Sequence, residues 1–179
     1  MSESAWIAAC VKGDEQALSI LFEENRDWLF AICRRYLPSK EEAEDALQES
    51  FILIFKNIAS YNGHGSFKGW LRKITVNCAL GMLRKRKLQN FRPLEYDISP
   101  VDLSFLQKLD LEELQHIIDR LSPGRRQIFI AHAIDGLTHK EIAKQLKISE
   151  GTSKSQFFDA RKEIKWALEN NVMIAKRKA

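Results

Sequence analysis

The sequence predicts an all-α protein: two small helical domains joined by a flexible linker, the C-terminal one containing a helix-turn-helix. Three observations carry this. Glycine and proline are scarce, 8 and 4 in 179 residues, strand-like alternation is nearly absent, and apolar residues recur at steps of three and four from end to end. The expected boundaries are 1–90 for the first domain, 91–109 for the linker and 110–179 for the second.

Taken in order, Leu18, Leu21, Phe22, Trp28, Leu29, Ile32 and Cys33 lie on helical spacing and predict one early core helix, or a pair, ending before Pro38. Ser39 followed by Glu42 predicts a capping box, with acids crowding the first turns where the helix dipole favours them. That helix, running to about Asn57, is expected to bury Ala43, Leu47, Phe51, Ile54 and Ile58. It displays Glu41, Asp45, Gln48 and Glu49 on its other side. Asp45 and Glu49 lie beyond the first turn, so the dipole alone does not account for them and a basic protein partner becomes plausible. The turn-rich stretch from Ser60 to Ser66 predicts a short mobile loop.

Ser66 to Lys87 holds seven cations and no acid, and should attract phosphate. Phe67, Leu71, Ile74, Cys78 and Met82 form an apolar stripe. Lys73, Asn77 and Arg84 share another side, with Trp70 at the border. A cationic track, an amide and an aromatic platform suit single-stranded nucleic acid. The competing reading is a solvated charged helix whose Trp70 seals the core.

From Leu88 to about Leu109 the pattern fails, with Pro93 and Pro100 interrupting it. Periodicity resumes at Leu111, Leu114, Ile117, Ile118 and Leu121. Ser122-Pro123 then starts a helix that carries Ile128, Phe129 and Ala133 inward to about Ile134. Thr138 and Glu141 predict a second capping box, Ile142, Ala143 and Leu146 face inward, and Ser149 caps a helix from Glu150 to about Leu168. On it Phe157, Ala160 and Ile164 face in, while Lys154, Ser155, Phe158, Asp159 and Lys162 face out. Such a hairpin can be plain structure; with the basic tail Lys176-Arg177-Lys178 it favours duplex DNA.

The net charge of +4 conceals alternating blocks: −5 over residues 1–65, +8 over 66–92, −5 over 93–121 and +6 over 122–179. This suggests two nucleic-acid contacts, with acidic surface left for a basic protein. Composition, at 45% hydrophobic, is that of a soluble globular protein. No leader or membrane-spanning run is apparent, so a cytoplasmic location without membrane insertion is expected. Cys10, Cys33 and Cys78 are odd in number and widely spaced, pointing to reduced core thiols. The four histidines show no metal-ligand spacing with them, and no phosphate loop, nucleophile elbow or isolated acid pair stands out. No metal, cofactor or catalytic residue is expected.

Several stretches occur in an order and spacing that resembles the extracytoplasmic-function (ECF) group of bacterial RNA polymerase sigma factors over nearly the whole chain. They are Glu44-Asp45-Ala46-Leu47-Gln48-Glu49-Ser50-Phe51, then Phe67-Lys68-Gly69-Trp70-Leu71-Arg72-Lys73-Ile74 with Asn77. Leu121-Ser122-Pro123, Glu141-Ile142-Ala143 and Glu150-Gly151-Thr152 with Lys154-Ser155 follow. The resemblance implies that Asp45, Gln48 and Glu49 bind the clamp helices of the largest polymerase subunit. It implies that Tyr61, Asn62, His64, Trp70, Lys73, Asn77 and Arg84 melt and read the minus-ten element, with a flipped-out base at the loop. It assigns the minus-thirty-five element to Lys154, Ser155, Phe158, Asp159 and Lys162, and a polymerase flap contact to the same domain. It further implies a dissociable initiation subunit answering an envelope or extracellular signal and masked by an anti-sigma factor. Two positions depart from the pattern. Ser153 replaces an aliphatic residue. Asp159 stands where a basic one is common, and is expected either to accept from a cytosine amine in the groove or to pair in solvent with Lys162. The rival reading is a helix-turn-helix regulator of duplex DNA that uses its N-terminal half for dimerisation or ligand sensing; the stripe of Trp70 and Asn77 argues against it.

Overall fold

Helix α1 spans Glu3–Val11. Asp14 then accepts a hydrogen bond from the Ala17 amide at 2.9 Å and opens α2, Glu15–Tyr36, a single unbroken helix. Its buried Asn25 does not interrupt it, because the amide donates to the Leu21 carbonyl at 2.8 Å and accepts from the Trp28 indole at 2.9 Å. Ser39 caps α3, Lys40–Asn57, by accepting from the Glu42 amide at 3.1 Å. A 3₁₀ turn at Ile58–Ser60 and a loop lead to α4, Phe67–Lys87.

These elements come from a computed structural model that describes residues 3–87 and 111–178, and all its regular elements are helical. The described residues fall into two compact units, one within 1–91 and the other within 92–179. The linker expected over 91–109 lies outside the described residues, as do Pro93 and Pro100; the side chains of Leu111, Leu114 and the basic tail at 176–178 are not described either.

In the first unit α2, α3 and α4 pack mutually, with α1 against α2. All five apolar residues expected inward on α3 are buried, from Ala43 to Ile58. On α4 the single stripe is too narrow: Ile74 and Met82 are only half-buried, whereas Thr75, Val76, Ala79, Leu80 and Leu83 are buried as well. The reason is that α4 is enclosed on two flanks, by α2 and by α3. Fully burying side chains such as Leu21, Leu29, Ile54 and Leu71 stabilises the unit by about 1.5–3 kcal/mol each. Cys10, Cys33 and Cys78 are buried free thiols. Burial pushes Cys33 up to about 12, so the unreactive thiol form prevails.

The second unit begins with α5, Leu111–Arg120, and α6, Pro123–Phe129, which has proline in its first turn. The helix expected to reach Ile134 widens after Phe129 into a π turn, Ile130–Ile134, closed by the Asp135 amide donating to the Ile130 carbonyl at 3.0 Å. Helix α7, His139–Leu146, carries both halves of the Thr138–Glu141 capping box. Lys147, at φ 54°, turns the chain, and Ser149 caps α8, Glu150–Lys178, through the Thr152 amide at 2.9 Å. Helix α8 runs past the expected end at Leu168 because neither glycine nor proline follows Gly151. Ala133 and Leu146, expected inward, are half-buried. Among the described residues no helix is long and apolar enough to cross a membrane.

Candidate nucleic-acid and protein interfaces

On α3 the spacing that buries Ala43, Leu47 and Ile54 turns the opposite side outward. Glu41, Asp45, Gln48 and Glu49 are all exposed, as expected. The residue missed is Ile52, four residues after Gln48 and 64% exposed. A large aliphatic side chain so placed gives the acidic face an apolar centre. Its spacing of three and four from Glu49 and Gln48 was the available signal.

The loop from Tyr61 to Ser66 is built rather than loose. The Tyr61 hydroxyl donates to the Gly65 carbonyl at 2.8 Å, and the His64 amide donates to the Asn62 side chain at 3.1 Å. Gly63 and Gly65 hold φ of 78° and 82°, conformations that a side chain would resist. Ser66 then caps α4 through the Gly69 amide at 3.0 Å. Asn62 and His64 are exposed, and Tyr61 is half-buried.

Tyr61 and Trp70 lie 5.8 Å apart, and both rings contact the buried Phe67. Trp70 is therefore half-buried, anchored from beneath and open on one side, beside the exposed Lys68, Arg72 and Lys73. Asn77 and Arg84 follow on α4, both half-buried; the Asn77 side-chain oxygen is buried with no partner. The arrangement can stack unpaired bases and neutralise their phosphates.

On α8, Lys154, Phe158 and Lys162 recur at steps of four, and Lys165, which the sequence reading missed, extends the row. Lys154 bonds Glu150 at 2.7 Å, which draws the Glu150 carboxyl below its usual range. Such an exposed pair is weak. Two expectations on this helix are corrected. Ser155 does not face out: it is buried, its hydroxyl donating to the Thr152 carbonyl at 3.1 Å. Asp159 neither joins the lysine row nor takes Lys162 as the partner found for it; it binds Arg125 of α6 at 3.0 Å, and the same guanidinium holds Glu163. With Arg125, Lys162 and Glu163 it lines a recess beside the 67% exposed Trp166.

The Ser153 departure has a structural reason. Its hydroxyl is buried and lies 3.0 Å from His139 Nδ1, and the His139 ring stacks on His132 at 4.1 Å. His132 Nδ1 lies 2.7 Å from the Leu137 carbonyl, which can only accept, so that nitrogen carries the hydrogen. An aliphatic residue at 153 would leave His139 without this contact.

Residues 21–89 match the Sigma-70 region 2 family and residues 111–164 match Sigma-70, region 4, one in each compact unit. The ECF RNA polymerase sigma factor SigM of Mycobacterium tuberculosis is 30% identical over 163 residues, covering 91% of this chain and 83% of that protein. The chain belongs to the ECF sigma factors. The ECF RNA polymerase sigma-E factor of Salmonella typhimurium is 29% identical over 181 residues, covering 92% and 93% of the two chains. The solved structure of CnrH in complex with the cytosolic domain of CnrY shares the fold, at TM-score 0.50 and 19% identity over 93% of this chain and 96% of that one. An ECF sigma factor is a transcription initiation subunit and not an enzyme. It binds core RNA polymerase and promoter DNA through regions 2 and 4.

Proposed function

We propose that this sigma factor divides its work among three faces. The α3 face of Asp45, Gln48 and Glu49 takes the clamp helices of the largest polymerase subunit. The loop residues Tyr61, Asn62 and His64, with Trp70, Lys73, Asn77 and Arg84, melt and read the minus-ten element. The row Lys154, Phe158, Lys162 and Lys165 seats the minus-thirty-five duplex, and the rest of the second domain meets the flap. The domains are taken as 1–90 and 110–179. Family membership supports a cytoplasmic protein, associated with the nucleoid when bound to polymerase, released by an anti-sigma factor in response to an envelope or extracellular signal.

The observation that carries this reading is the pair of half-exposed rings, Tyr61 and Trp70, 5.8 Å apart beside three exposed cations, since a protein that binds only duplex has no use for them. Run-off transcription with purified core polymerase tests it. Trp70→Ala and Asn77→Ala are expected to lower initiation on duplex promoters about tenfold, stacking being worth ~1–3 kcal/mol per base, and to act less on a pre-melted template. Equal loss on both templates, or no loss, would refute the assignment.

A further inference from the structure

The region 2 match begins at residue 21 and so assigns nothing to α1. Yet α1 packs on α2 and on the 3₁₀ turn that leads into the base-holding loop. Its Trp6 meets Phe67 edge-on, with ring centroids 5.9 Å apart and planes at 83°. Phe67 is the hub of the neighbouring rings. It stacks on Trp70 at 5.7 Å and 16°, and Tyr61 approaches it edge-on at 5.1 Å. Four rings thus form one contiguous cluster running from α1 to the strand-reading face, and edge-to-face contacts fix the tilt of both partners.

We propose that Trp6 is a positioning residue of the strand-reading site. By wedging Phe67 it sets the angle of Trp70 and the start of the loop at Tyr61, and through them determines which unstacked base of the melted strand is accepted. The inference rests on the assignment of Tyr61 and Trp70 to that strand.

The Trp6 indole nitrogen is buried and has no acceptor. Its N–H therefore does nothing to hold the ring, and Trp6 acts on Phe67 through the contact between their rings. Phenylalanine keeps an aromatic edge at this place and removes the unsatisfied donor, so it is the conservative replacement, whereas alanine removes the wedge.

The test uses the full chain assembled with core polymerase and labelled single strands of the minus-ten element, each base varied in turn. Trp6→Ala should lose about threefold or more of base discrimination at one or two positions, part of the worth of a stacked base, with core affinity unchanged. Trp6→Phe should retain both. Ile54→Val, at a fully buried position of the same unit, controls for stability: it should lower the melting temperature and leave discrimination intact. Wild-type discrimination in Trp6→Ala, or equal loss in Ile54→Val, would overturn the proposal. If Trp70→Ala abolishes discrimination and Trp6→Ala does not, the inference alone falls. A wild type with no base preference on single strands would remove the strand assignment and the inference together.

Discussion

His139 stands at the first position of α7 with His132 stacked at 4.1 Å, the Ser153 hydroxyl at 3.0 Å and the Phe157 ring at 5.4 Å. Desolvation, aided by electrostatic repulsion from the His132 and Lys154 side chains and opposed by Glu150, lowers its pKa to about 4 from 6.5. The folded ring stays neutral where the unfolded one would bind a proton. Its contribution to stability is therefore complete above pH 6.5 and is lost as pH falls from 6.5 towards 4. Discounted for water access to the half-buried ring, the loss comes to about 1 kcal/mol, or about 5 °C in the melting of the second unit. Scanning calorimetry between pH 7.5 and 4.5 measures it, and His139→Gln should flatten the dependence; an identical slope in the variant would dismiss His139 as its source. At this scale the sequence was least legible. It showed Ser153 and Asp159 as departures, but their partners lie 14 and 34 residues away, on other elements, where no helical spacing can point.

Between elements the local signals served well. Ser39, Thr138 with Glu141, Pro123 and Ser149 act through backbone groups within three residues, so the helix starts could be read directly. Which flanks of α4 are enclosed depends on two neighbouring helices, and one periodic stripe could not show that. The α3 face was legible in its charge and not in its apolar centre. Reversing Asp45 and Glu49 to Lys should weaken retention of core polymerase at moderate salt without loss of helicity, since both are exposed. Ile52→Ala should weaken it too, by about 1–2 kcal/mol, but with little dependence on salt, because an aliphatic anchor contributes by desolvation. Titration of core binding at two salt concentrations separates these outcomes, and undiminished binding in both variants would count against this face.

Along the whole sequence the charge alternates as −5, +8, −5 and +6, the pattern expected if acidic stretches serve protein and basic ones nucleic acid. On the proposed assignment the two basic blocks take different substrates, which salt titration can distinguish. Arg72→Ala should reduce the salt slope of single-strand binding by about 0.7, and Lys162→Ala that of duplex binding by about 0.9, the values for one released counterion in each case. Fluorescence anisotropy across a salt series measures both, and unchanged slopes would place these cations away from phosphate. The guanidinium of Arg125, holding Asp159 and Glu163 of α8 from α6, bears on how α8 could be exchanged to test its proposed part in promoter preference. A graft of α8 alone from a relative with a basic residue at position 159 would set two cations face to face in a half-buried site. A chimera that exchanges α8 should therefore carry its α6 partner with it, and α7 as well, whose His139 meets Ser153.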